Sequence, residues 1–270
     1  MAYPDRPIPG IAPKEGTNFL SHLVPAGIYL NQGEINRVEV VADPGKRLYV
    51  KRERDELKLA DTLRYCSTVE YPALGFLQNG GKIWSRSMKE MARHMETSAA
   101  LGLKTAKPVY VDDQTLVYPF TPGDNLRVFL NHDGDVRVID TALATVADAH
   151  NRDIIHGERH PANIIVDGDD VTHVDFDHAI GGTHAKELEV ALLLYPMLGH
   201  TPRFEGALER VSQFAEAYSH RYDWHVVTDF MEKFQSYLTE HPIGRNKKLL
   251  VPRLGEKLDI ATASLLRAAA

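Results

Sequence analysis

The chain has 270 residues, 43% apolar and 25% charged, with one cysteine (Cys66) and a formal charge of -6. This composition excludes collagen-like and disordered chains, and the single thiol excludes a disulfide framework or a multi-thiolate zinc or iron–sulfur centre. The acidic balance argues against a general polyanion binder, so nucleic acid is not an expected partner. No run reaches the roughly 18 apolar residues of a membrane span. The opening residues lack the charged and apolar regions of a secretory leader, so the expected setting is soluble and cytoplasmic.

Residues 1–25 hold five of the fifteen prolines and read as an extended arm. Short β-type runs follow at 26–30 (AGIYL), 37–41 (RVEVV) and 47–51 (RLYVK). Asn31-Gln32-Gly33-Glu34 joins the first two and Asp43-Pro44-Gly45-Lys46 the next, giving an antiparallel meander. Residues 52–66 read as a charged helix, and 69–84 as strand or loop with its tip at Asn79-Gly80-Gly81. Ser87 and Glu90 have capping-box spacing ahead of an apolar stripe of Met88, Met91, Ala92, Met95 and Ala99, and Gly102 stops that helix.

Two more strands are expected at 108–111 and 115–120, joined by Asp112-Asp113-Gln114 and ended by Thr121-Pro122-Gly123. A helix over about 135–150 follows, and later helices are expected at 186–199, 205–221, 226–240 and 254–268. Strands with one helix, then mainly helices, define an α+β chain with a boundary near Pro119–Gly123. The expected domains are the arm at 1–25, a β-rich lobe at 26–120 and a helical lobe at 121–270.

The most informative stretch runs over 154–179, IIHGERHPANIIVDGDDVTHVDFDHA. His156, Glu158, His160 and Asn163 precede an apolar strand (164–166), an Asp-Gly turn and a second strand (171–174) that ends on Asp175-Phe176-Asp177. A hairpin brings its ends together, so Asn163 and Asp175 should lie side by side. An amide oxygen beside a carboxylate suits Mg²⁺ that also carries phosphate and water. Glu158, five residues before Asn163, would stand at the same edge as a base for a hydroxyl proton.

This block resembles the catalytic loop and metal segment of the protein-kinase-like superfamily, which read H-x-D-x-x-x-x-N and then Asp-Phe. The His-Gly-acid-x-His-Pro-x-Asn form is similar to its atypical and small-molecule branches. The Asp-Phe-Asp ending resembles that of lipopolysaccharide-core sugar kinases. LNQGEINRVEVV resembles the reduced nucleotide loop of the KEOPS-complex kinase, and SRSMKEMARHMETSAALGLKTAKPVYV the helix and strand that follow it. The resemblance spans roughly residues 26–200.

It implies a two-lobed kinase-like fold, ATP and Mg²⁺ as cofactors, and a hydroxyl-bearing acceptor. Gly33 matches the glycine over the phosphates, and Lys51 the lysine that holds them. Glu90, with Glu96 as second choice, matches that lysine's partner. Tyr118, Pro119, Phe120 and Thr121 match the hinge that meets adenine, Asn163 and Asp175 the metal ligands, and His156 the structural histidine. Asp177 reads as an anchor for its loop.

The departures are informative. The acid of the catalytic loop is Glu158 instead of aspartate, and His160 takes the place of a cation. Tyr49 faces the same way as Lys51, towards the adenine position. Lys51 and Glu90 stand far apart in the chain, implying an insertion at 52–86. Only about ten residues after Asp175 precede the next helix, which favours a small-molecule or atypical protein acceptor.

Three readings follow. The first is an ATP-dependent phosphotransferase. The second is a nucleotide-binding pseudokinase, motivated by Glu158. The third is a metal-dependent hydrolase, motivated by His156, His160, Asp175, Asp177, His178 and His184, although HGERH lacks the H-E-x-x-H spacing and Pro161 breaks its helix. Glu90 also has a simpler role open to it, as the cap of its own helix. Lys247 and Lys248, near Arg245 and Arg253, read as solvated surface or as a dock for an anionic partner.

Overall fold

A computed structural model describes residues 24–28, 36–43, 46–53, 69, 71–73, 75–77, 82–132, 135–241, 252–255 and 257–270. Gly33 and its turn, most of the arm and of the 52–66 stretch, the 79–81 tip and the lysine pair at 247–248 lie outside the described residues. The chain is α+β, a β-sheet lobe followed by a mainly helical part.

The first sheet has five strands in the order β1-β2-β3-β6-β5, all antiparallel to their neighbours. These are β1 (Val24–Ile28), β2 (Asn36–Asp43), β3 (Lys46–Glu53), β5 (Tyr110–Val111) and β6 (Thr115–Pro119). The first strand starts two residues earlier than its apolar run suggested, with a register shift between Pro25 and Ile28. Alternation sends Leu48 and Val50 to one face with Val41 and Val117. Tyr49 and Lys51 therefore point to the other.

That second face is covered by α1 (Met88–Ala100), whose methionine stripe packs on Leu116 and Tyr118 of β6 and on Phe176 of the helical part. Both halves of the capping box form, and Gly102 stops the helix at φ +90.

Before α1, β4 (Ile83–Ser85) pairs with β10 (His178–Ile180), stitching the two parts together. A three-stranded sheet of β7 (Asp124–Asn125), β8 (Ile164–Asp167) and β9 (Asp170–His173) carries the expected hairpin, with Ile164 opposite His173, so that Asn163 meets Val174, one residue before Asp175. Around it pack α2 (Leu126–Asn131), α3 (Val138–Asn151), α4 (Ala185–His200), α5 (Phe204–Ala217), α6 (Trp224–Glu240) and α7 (Leu258–Ala269). Two helix ends differ from expectation. The 205–221 helix stops at Ala217, and Asp223 starts the next one at Trp224 by accepting from His225 and Val226. The last expected helix divides into a turn at Pro252–Gly255 and α7. Among the described residues no helix is long and apolar enough to cross a membrane.

Candidate active site

Lys51, 2% exposed, leaves β3 and bonds two carboxylates of the helical part, Asp175 and Asp177. Burial alone would lower the ammonium's pKa, but the two carboxylates outweigh it and hold Lys51 above its ordinary value. Asp175 sits at φ +66, a left-handed backbone that aspartate tolerates better than most residues. Its side chain keeps 40% of its surface open, whereas Asp177 keeps 11%. Crowding by protein and by Asp177 pushes the Asp175 carboxyl up to about 6, against the pull of Lys51.

The segment from His156 to Asn163 is fixed from several sides. His156 is fully buried, its Nε2 2.9 Å from the Val174 carbonyl and its ring stacked on Phe176 at 4.1 Å. Burial, then the Arg159 charge, hold this imidazole well below the usual histidine range, so it stays neutral. The Asn163 amide nitrogen donates to the Glu158 carbonyl at 2.9 Å, and the Asn163 carbonyl accepts from Val174 N–H at 3.0 Å. The loop bearing Asn163 and the strand leading to Asp175 are thus tied together. The Glu158 carboxylate lies 2.6 Å from His178 Nδ1.

Glu90 is not brought to Lys51. Its carboxylate accepts from Ser87 N–H at 2.8 Å and from Ser87 Oγ at 3.0 Å, which places it in the capping box. Lys51 is neutralised by Asp175 and Asp177 instead, so the expected Lys51–Glu90 pair is corrected to Lys51–Asp175/Asp177. Glu96 is partly buried on the same helix and has no described bond to Lys51.

In the segment expected to be the hinge, Tyr118 is buried, with its ring 5.4 Å from that of Tyr49. Phe120 lies 4.9 Å from Tyr49, and its N–H is taken by the Arg47 carbonyl at 3.0 Å. Pro119 and Thr121 line a cavity of about 320 Å³ with Lys104, Asp167, Asp170 and Thr172.

Several residues were not singled out from sequence. Arg86, just before α1, donates to the carbonyls of His156 (2.8 Å), Phe176 (3.1 Å), Ile155 (3.2 Å) and His178. Arg159 is fully buried against Glu189 and 3.0 Å from His173 Nδ1. Glu189 also accepts from Gly157 N–H at 3.0 Å and lies 3.3 Å from His150 Nε2. These partners are long-range, so no local spacing announces them.

Among the described residues no cluster of three or more His, Cys, Asp or Glu side chains could hold a metal ion. The histidines of the hydrolase reading are committed elsewhere: His156 to Val174, His178 to Glu158, and His160 to capping the turn at Pro161–Asn163. A Mg²⁺ ion that keeps water and phosphate needs only one or two protein oxygens. The Asn163 amide oxygen and the open Asp175 carboxylate fit that requirement, because the Asn163 nitrogen is already committed to Glu158.

No protein-family model matches the chain, and no curated protein matches it. Among solved structures, it is similar to "WaaP in complex with acyl carrier protein", with 17% identity, a TM-score of 0.49, and coverage of 83% of this chain and 89% of that one. Identity this low says nothing of the reaction.

Proposed function

We propose that the chain is an ATP- and Mg²⁺-dependent phosphotransferase that passes the γ-phosphoryl group to a hydroxyl of a sugar-like small molecule or an atypical Ser/Thr protein acceptor. The observation that carries this reading is the buried Lys51 of the sheet lobe meeting Asp175 and Asp177, with Asn163 and Glu158 tied to the same strand ends. Phosphoryl transfer is mainly positioning and charge stabilisation, and this arrangement supplies both.

Lys51 would lie against the phosphates, and Asn163 and Asp175 would hold Mg²⁺, which neutralises phosphate charge when bound. Glu158 would orient the acceptor hydroxyl and take its proton. Gly33 would cover the phosphates, while Tyr118, Pro119, Phe120 and Thr121 would meet the adenine. Only β10 and a short loop separate Phe176 from α4, which supports a compact acceptor over an extended peptide.

The test is ATP turnover with Mg²⁺ across a panel of hydroxyl acceptors, read by mass spectrometry, with wild type beside Asp175→Ala. Wild type should form a phosphorylated product, and Asp175→Ala should lose at least about 100-fold in kcat. Equal turnover by the two proteins would remove Asp175 from the reaction and the reading with it.

A second reading, a nucleotide-binding pseudokinase, draws on the Glu158 carboxylate being bonded to His178. In that case ATP would raise the melting temperature of the wild type, yet no acceptor would be phosphorylated.

A further inference from the structure

Gly157 has φ +94, and a Cβ placed there would collide with the His178 carbonyl. Glycine at 157 therefore lets the His178 backbone lie directly on the loop that carries Glu158. That backbone is fixed independently. His178 pairs with Ser85 in the β4–β10 ladder, and Arg86 N–H donates to the Asp177 carbonyl at 2.7 Å. The Arg86 guanidinium donates to the carbonyls of both His156 and His178, clamping the two segments together.

From this platform the His178 side chain, 1% exposed, puts Nδ1 2.6 Å from Glu158 Oε2. An ionised carboxylate only accepts, so the proton of the bond belongs to Nδ1. On the other side of Glu158, its carbonyl is held by Asn163.

We infer that His178 is a positioning residue for Glu158, and that the extra methylene of glutamate is the length that lets the carboxylate reach it. The inference deepens the phosphotransferase reading and rests on it. A glutamate has one more rotatable bond than an aspartate, and a fixed donor at the far end removes that freedom. Gly157, Glu158 and His178 then form one device: a close backbone approach, a longer acid and a buried donor. On this account Glu158 is a matched part of the site. Shortening it breaks the bond to His178 and misplaces the base.

The experiment measures kcat and KM for ATP in wild type, His178→Asn, His178→Gln, Glu158→Asp and the double variant Glu158→Asp/His178→Gln. An Asn side chain puts its amide nitrogen where Nδ1 stands, whereas Gln carries it further out. His178→Asn should keep kcat within about threefold of wild type, and His178→Gln should lose roughly 10- to 100-fold with KM within about twofold. Glu158→Asp should fall by a similar factor, and the double variant should be no slower than Glu158→Asp alone, since both remove one interaction.

Both histidine variants bury an amide in the same place, so a folding penalty falls on both and the contrast between them carries the result. Glu158, with 15% of its side chain exposed, supplies the same test by a change at the surface end. Equal rates for Asn and Gln, or a faster Glu158→Asp, would overturn the inference while leaving phosphotransfer standing. A wild type that transfers no phosphate would remove the phosphotransferase reading first and the inference with it.

Discussion

Lys51 and Arg159 are both almost wholly buried cations, at 2% and 0% exposure, and their surroundings differ in kind. Arg159 faces Glu189, itself fully buried, and the surplus oxygens of that carboxylate are consumed by Gly157 N–H and His150. His150 passes the contact on to Tyr222 at 2.9 Å, so every described partner of that carboxylate is a buried group of the protein, while Arg159 Nη2 has no partner among the described residues. Lys51 instead faces two carboxylates, one of which is 40% open. That cluster sets one cation against two carboxylates and leaves one of the two open to solvent. Buried charge enclosed by protein fixes a loop, whereas a charged cluster partly open to solvent is where the proposed phosphate and metal contacts would fall.

Removing each cation should separate the two cases, with the largest effect at Arg159. Arg159→Met strands the Glu189 carboxylate in the interior and should cost about 3–5 kcal/mol, enough to leave much of the chain unfolded. Lys51→Met leaves two aspartates that water can reach through the Asp175 side, and should cost less than half as much while abolishing turnover. Denaturant melts of the two variants check this. A Lys51 variant as unstable as the Arg159 one would mean that both networks are structural.

Acid should act mainly on the Arg159 side. Burial lowers His94 to about 3 and holds His156 and His173 well below the histidine range, with Arg159 adding to the effect at the last two. His150 is lowered by burial as well. These rings stay neutral in the fold and protonate near 6.5 once unfolded, so the unfolded chain binds more protons as pH drops. Their stabilisation is full above about 6.5 and declines as pH falls towards the folded values, by about 1.4 kcal/mol per pH unit for each histidine.

Asp175 works in the opposite sense. Its raised value favours the fold below the usual carboxylate range, and that contribution is lost as pH rises through about 6. With 40% of the side chain open, solvent weakens it, and the histidines should dominate. Melting temperature should therefore fall steadily from pH 7 to pH 5. A flat profile over that range would show that the rings accept protons without unfolding.

The same contrast explains what the sequence discloses. That the chain around Asn163 returns to the chain before Asp175 is legible because a hairpin of two four-residue strands with an Asp-Gly turn fixes which ends meet. The α+β order is legible because helix and strand periods differ along the chain. Arg159 and Glu189 are 30 residues apart, on a loop and on a helix apolar nearly all round, and neither has a neighbour that betrays the other. Asp177 reads as a loop anchor because its partner, Lys51, lies 126 residues away. Arg86 follows a three-residue strand and precedes a helix cap, a place where an arginine is ordinarily solvated.

Glu90 is where a family pattern and a local rule compete for one side chain, and here the expected effect is smallest. The capping box satisfies two orphan N–H groups of α1, and Ser87→Ala should cost about 1 kcal/mol. Glutamine serves in the same box, so Glu90→Gln should change stability by no more than a few tenths of a kcal/mol. Turnover decides the rest. If the cap is the whole role of Glu90, the glutamine variant should turn over within about twofold of wild type. If α1 rotates when nucleotide binds and brings Glu90 to Lys51, removing its charge should cost more than about tenfold in kcat at unchanged melting temperature. Because Lys51 already has two carboxylates, the first outcome is the one this structure favours.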